Sequence, residues 1–204
     1  DRLNERIRKL QSLGYRARLT SVSELKKIEP SIDIGDAFTA VISEIEGSVE
    51  PNLVVRECIK QIADMEGDIV LGESVHDFRV EGSGSGRRIT HVETSKRTIA
   101  TDLVILTAGF GTTELASKIG INIPQDNSPG FLVKTNRLPK VLEKLSIIYA
   151  PSAEPGKSGV HFKQLIDGTG VIGEEYSESL GLDNSEAHAF DLVARAKRYL
   201  PKLE

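Results

Sequence analysis

The stretch Glu81-Gly82-Ser83-Gly84-Ser85-Gly86-Arg87-Arg88-Ile89 sets three glycines at alternate positions beside two arginines, the residue types of a phosphate-cradling loop. A dinucleotide loop of the form Gly-x-Gly-x-x-Gly must join a strand to a helix, because its glycines let the backbone approach a pyrophosphate seated on the helix N-terminus. Here the third glycine position is Arg87, and the residues that follow, Arg88-Ile89-Thr90-His91-Val92-Glu93-Thr94, are β-branched and extended in character. Gly82 to Gly86 also spell the Gly-x-Ser-x-Gly of a hydrolase elbow, which fails for the same reason: that elbow passes from a buried strand into a helix. The context of strand, turn and strand predicts a mobile hairpin tip.

A second glycine turn sits in better company. Leu103 to Ala108 is a nearly continuous apolar run, as expected for a strand buried on both faces of a parallel or mixed sheet. It ends in Gly109-Phe110-Gly111 and leads into Thr-Thr-Glu-Leu-Ala-Ser-Lys-Ile-Gly, a predicted helix with Thr112 or Thr113 as N-cap. Free N–H groups at such a helix start can hold a phosphate or the polar edge of a cofactor; a plain turn that needs glycine for tightness gives the same spacing. His161 and Lys163 alternate along a predicted strand and so share one face, which is either a substrate pocket or solvent. The remaining chemistry is sparse. His76, His91, His161 and His188 are scattered without metal-ligand spacing, no P-loop is present, and Glu174-Glu175 reads as surface charge at a strand end. No metal site is expected.

The elements that must position these residues follow from periodicity and turn chemistry. Leu3, Ile7, Leu10 and Leu13 predict a helix that Gly14 ends. Ser21 and Glu24 have capping-box spacing before a short helix stopped by Pro30. Residues 37–45 read as a strand, and 52–66 as the strongest helix, its face of Leu53, Val54, Cys58, Ile59, Ile62 and Met65 closed by Gly67. Cys58 is thereby expected in the core. Strands are predicted within 68–75, 77–82, 87–94 and 97–109, then 131–136, 145–151, 159–166 and 169–176. Asp167-Gly168 is a tight-turn signal between the last two, and a helix over 185–199 takes Asn184 or Ser185 as cap.

Composition bounds the function classes. With 204 residues, 39% hydrophobic and 27% charged and net charge -4, the chain has the make-up of a globular protein and lacks the basic excess of a nucleic-acid binder. Arg16-Ala17-Arg18 and Arg87-Arg88 read as solvated clusters. No apolar run approaches the roughly 20 residues of a membrane span. The single cysteine excludes an internal disulfide and suits a reducing, cytoplasmic location. The opening without methionine predicts an internal portion of a longer protein.

In order, the segments Glu24–Ile32, Glu46–Val75, Arg97–Thr135 and Gly159–Glu175 resemble the middle of the FAD-dependent oxidoreductases of the D-amino-acid oxidase, glycine oxidase and sarcosine oxidase type. The resemblance runs from about residue 19 to the end, and the ordered set carries it rather than any one motif. It implies an α/β (α+β) fold: part of a Rossmann-like FAD domain, residues 51–118 with helix 1–14 attached, and an antiparallel-sheet substrate domain of 15–50 and 119–204. It further implies that the Val75 backbone meets the adenine, that Thr107, Ala108, Gly109 and Phe110 lie near the flavin's phosphate and ribityl region, and that His161, with Lys163 beside it, faces substrate. Where relatives carry Trp-Ser after the glycine motif this chain has Phe110-Gly111, and where they carry proline after the strand holding His161 it has Gln164. Both terminal FAD motifs are missing. The expected parent is an enzyme that oxidises the amine of an amino acid by hydride transfer to FAD. The alternatives are a 2-hydroxy-acid or glycerol-phosphate dehydrogenase of the same superfamily, or, for the chain as it stands, a flavin-free, non-catalytic substrate-domain fragment.

Overall fold

A computed structural model describes residues 2–35, 39–126, 130–152, 154, 156–174 and 183–203. Its elements in chain order are α1 (Arg2–Ser12), β1 (Ala17–Ser21), α2 (Val22–Ile28), β2 (Thr39–Ser43), α3 (Pro51–Asp64), β3 (Val75–Glu81), β4 (Arg88–Thr94), β5 (Thr98–Ala100), α4 (Gly111–Lys118), β6 (Leu132–Arg137), β7 (Ile148–Ala150), β8 (Val160–Gln164), β9 (Thr169–Glu174) and α5 (Glu186–Lys197). Every strand pairing among the described residues is antiparallel. The chain divides into two compact units, Asp1–Pro51 with Ser128–Glu204, and Asn52–Asn127.

The first unit is built on a four-stranded sheet in the order β6-β9-β8-β7. Alternation decides its faces: Val160 and Phe162 of β8 are buried, while His161 and Lys163, which alternate with them, are only half-buried. Leu192, Ala196 and Leu200 recur every four residues in and just after α5, and this stripe joins Phe162, Ile172 and Val141 in one core. Burying each such Leu, Ile or Phe contributes roughly 1.5–3 kcal/mol. Local chemistry sets the ends of the elements as expected. The Ser21 and Ser185 hydroxyls cap α2 and α5 by accepting from the N–H groups of Glu24 and His188. Gly168 turns between β8 and β9 at φ 91°, with the Asp167 carboxylate accepting from Thr169 N–H at 2.9 Å. Residues 37–38 and 175–176 of the expected strands lie outside the described residues.

Two buried ionic groups hold this unit's loops. The Glu29 side chain is fully buried, and its carboxylate accepts from the N–H groups of Glu143, Lys144 and Leu145 at 2.7 to 3.2 Å. The Ser31 hydroxyl lies 2.8 Å from Oε1 of Glu29 and 2.7 Å from the Val141 carbonyl. Burial alone would raise the Glu29 pKa; the three backbone donors and Ser31 outweigh it and hold the carboxyl below its ordinary value. The second group corrects the reading of Glu174 as surface charge. Its side chain is 9% exposed, clamped between His188 and Arg195 of α5, with Arg195 Nη2 at 2.5 Å. Arg195 also donates to Asp191 at 2.9 Å and to the Ser158 carbonyl at 2.9 Å, so the buried cation is satisfied on three sides.

The second unit is a three-stranded sheet, β3-β4-β5, with α3 and α4. Gly82 to Gly86 form the β3–β4 hairpin tip, with a single 3-10 turn at Gly84–Gly86. Gly82 holds φ 84°, and a Cβ there would collide with the Gly86 carbonyl. Three expectations fail in this unit. Residues 68–74 are not a strand, because the ladder with β4 starts only at Val75. Leu103 to Ala108 is not a strand either: no strand pairs with it among the described residues, and Leu103 and Ile105 are 74% and 77% exposed. Apolar composition marks a segment able to enter a sheet, but only a neighbour supplying ladder partners makes it a strand. The apolar face of α3 has no buried residue, and Cys58 on it is exposed rather than in a core. No described helix is long and apolar enough to cross a membrane.

The end of α3 carries a strained residue. Gly67 N–H donates to the Ile62 carbonyl and Glu66 N–H to that of Ala63, a Schellman pattern whose left-handed position falls on Glu66, at φ 59°, and not on Gly67. A left-handed non-glycine residue costs roughly 1–2 kcal/mol, part of which glycine returns in chain entropy. Glu66→Gly is therefore expected to stabilise the protein by about 0.5–1 kcal/mol, read as a higher urea midpoint. Glu29→Gln puts an amide donor against three N–H donors and should cost about 3 kcal/mol in urea unfolding. A lowered carboxylate pKa contributes stability above its ordinary value that is lost as pH falls through the folded-state value. The wild-type stability should accordingly drop below about pH 4.5, and that drop should be shallower in Glu29→Gln.

Candidate functional site

The Gly109 turn is built by backbone geometry. Gly109 takes φ 57°, Gly111 N–H donates to the Ala108 carbonyl and Thr112 N–H to that of Gly109, both at 3.1 Å, and α4 begins at once. The N-cap is Phe110, not Thr112 or Thr113; the Thr113 hydroxyl instead contacts the Ile123 carbonyl and the Gln125 side-chain oxygen, tying the helix to the chain that follows it. Thr107, Ala108, Gly109 and Phe110 are all exposed, and beyond Gly109 and its chain neighbours no heavy atom of the described residues lies within 4 Å of where a Cβ on Gly109 would stand. The glycine is thus required by its left-handed φ and leaves open space on its outer side. Val75, at the start of β3, pairs with Thr94 and is also exposed.

His161 and Lys163 lie in the other unit, on the face of its sheet opposite the core. The register sets Leu132, Gly173, His161 and Tyr149 in one row across β6, β9, β8 and β7. The next row on that face is Lys134, Val171 and Lys163. Lys163 Nζ donates to the Val49 carbonyl at 3.2 Å. The His161 and Tyr149 rings stand 5.4 Å apart, tilted by 41°. The structure therefore joins the two predicted residues to a tyrosine, a second lysine and a glycine. Tyr149 and Gly173 carry no signal in the sequence, because only strand register makes them neighbours of His161.

Gln164 accounts for one departure from the expected pattern. Its amide oxygen accepts from Val141 N–H at 2.9 Å, and its Nε2 lies within 3.2 Å of the carbonyls of Leu138, Pro139 and Gly168. A proline at this position has no such side chain. A concavity on the α5 side, at Ser158, Arg195, Arg198 and Tyr199, has its cations already paired, Arg195 with Glu174 and Asp191, and Arg198 with Glu154. No group of three His, Cys, Asp or Glu among the described residues is arranged to hold a metal ion.

Comparison with known proteins gives the chain a family. Among curated proteins, none matches the sequence. Glycine oxidase from Bacillus cereus ATCC 14579 superposes with a TM-score of 0.72 at 20% identity, covering 99% of this chain and 52% of that one. L-proline dehydrogenase from P. horikoshii gives 0.70 at 17% identity, covering 98% and 52%. L-amino acid deaminase from Proteus vulgaris gives 0.66 at 16% identity, covering 98% and 49%. The chain thus spans about half the length of these solved structures and shares their α/β fold. The model of the FAD dependent oxidoreductase family, DAO, matches residues 1–204, and the chain belongs to that family.

Proposed function

We propose that the full protein oxidises the amine of a small amino acid, the 52–127 unit holding FAD and the sheet carrying His161 holding substrate. The observation that carries this is the match of the family over the whole chain, joined to an open glycine turn at the start of α4. The residues fit an anionic cofactor: the positive end of a helix dipole lies at Gly111, and Gly109 presents a backbone with clearance for close approach. Thr107, Ala108, Gly109 and Phe110 would line its phosphate and ribityl region, and the Val75 backbone its adenine end. FAD, when bound, supplies the acceptor for a hydride from the carbon that bears nitrogen. The chain's own residues bind and orient. The row of Leu132, His161 and Tyr149 and the row of Lys134 and Lys163 offer an apolar edge beside cationic groups, suited to an acid with a small carbon skeleton.

A second reading concerns the 204-residue chain by itself. It spans about half of each matched structure, and the apolar residues 103–106 and the apolar face of α3 are uncovered or only partly covered, which favours a chain that folds without retaining flavin. The purified chain should then be colourless near 450 nm; a yellow protein with one flavin per chain would overturn this.

For the full protein, anaerobic titration with D- and L-amino acids, glycine and sarcosine should bleach the flavin. Bleaching by 2-hydroxy acids or glycerol phosphate, and by no amine, would replace the proposal with the dehydrogenase alternative. Gly109→Val places a β-branched side chain at φ 57° beside the cofactor site. It should lower the flavin content of the purified full protein several-fold, with its melting temperature measured alongside to separate loss of flavin from loss of fold.

A further inference from the structure

His161 sits beside a position that has no side chain. In an antiparallel pair, residues directly opposite bring their Cβ atoms to about 4.5–5.5 Å, so each normally limits where its partner can lean. The partner of His161 on β9 is Gly173. A Cβ on Gly173 would collide with Nε2 of His161 and stand only 2.5 Å from its Cε1 and 2.7 Å from Cδ2 of Leu132. The imidazole thus occupies the volume the glycine leaves empty, lying across β9 toward Leu132 on β6. Gly173 is not held there by backbone conformation, since it is not among the residues with positive φ. What it supplies is space.

The opposite side of the ring is closed by Tyr149, the partner of His161 on β7. The ring centroids are 5.4 Å apart, a separation at which tilted aromatic pairs attract. Tyr149 is nonetheless 70% exposed, so contact with His161 is a larger part of its surroundings than burial in a core. From the gap on one side and the ring on the other, we propose that Gly173 and Tyr149 are positioning residues for His161, fixing the direction in which its imidazole meets substrate. This rests on the assignment of that sheet face to substrate.

The experiment uses the full-length, flavin-loaded protein with selectively 15N-labelled histidine, the His161 ring signals being assigned by their loss in His161→Ala. Gly173→Ala should move those signals, Tyr149→Leu should remove the ring-current shift, and Tyr149→Phe should leave both close to wild type. With whichever of alanine, glycine or sarcosine bleaches the flavin, Gly173→Ala should raise KM on the order of tenfold with a smaller change in kcat. In a His161→Ala background the same glycine substitution should change KM far less, because the ring it strikes is gone and the remaining close contact is Cδ2 of Leu132, the far end of a flexible side chain. Two results would overturn the proposal: unmoved ring signals in Gly173→Ala, or an equal KM penalty with and without His161. If no amine bleaches the flavin, the functional proposal fails on its own. The ring signals still decide the seat: signals that move with Gly173→Ala and Tyr149→Leu keep it as a feature of the fold, and unmoved signals remove it.

Discussion

The larger unit depends on a strand too slender to fill its own space. β9 lies between β6 and β8, and two of its six residues are glycines that point to opposite faces. A Cβ on Gly170 would stand 2.9 Å from Phe162, 3.0 Å from Thr135 and 3.1 Å from Leu138, so its absence lets the fully buried Phe162 settle into the core. Gly173 does the equivalent on the other face for His161. Close-packed interiors tolerate little change in volume, so one strand couples the packing that stabilises the sheet to the geometry of its polar face. Its last residue, Glu174, then anchors α5 through Arg195 and His188.

Charge is used inside this unit to fix loops and helix ends. Glu29 satisfies three successive N–H groups of a segment that has no regular secondary structure to satisfy them. Arg195 binds two carboxylates and a carbonyl, bringing β9, α5 and the segment before β8 to one point. Such pairs are costly to bury and costlier to leave half-made.

What the sequence disclosed, and what it hid, divides along the range of the interactions. Ser21, Ser185, Asp167-Gly168 and the glycine-serine hairpin tip act within three or four residues of themselves, and each was legible. Glu174 was not, because its partners lie 14 and 21 residues away on a helix face. Thr113 looked like a cap and was taken by Gln125 and Ile123, a case of tertiary contact overriding a local preference. The run from Leu103 to Ala108 had the composition of a buried strand but finds no ladder partner among the described residues. His161 and Lys163 could be placed on one face by alternation; Tyr149 and Gly173 could not, since register is a property of two strands at once.

That uncovered run has the make-up of a segment that pairs with other strands. Leu103, Val104, Ile105 and Leu106 are consecutive, uncharged and rich in sheet-forming side chains, with Leu103 and Ile105 standing largely in water. A segment of this kind is a template for pairing with its own copies. The same residues whose composition suits the middle of a sheet thus leave an apolar strip without ladder partners among the described residues.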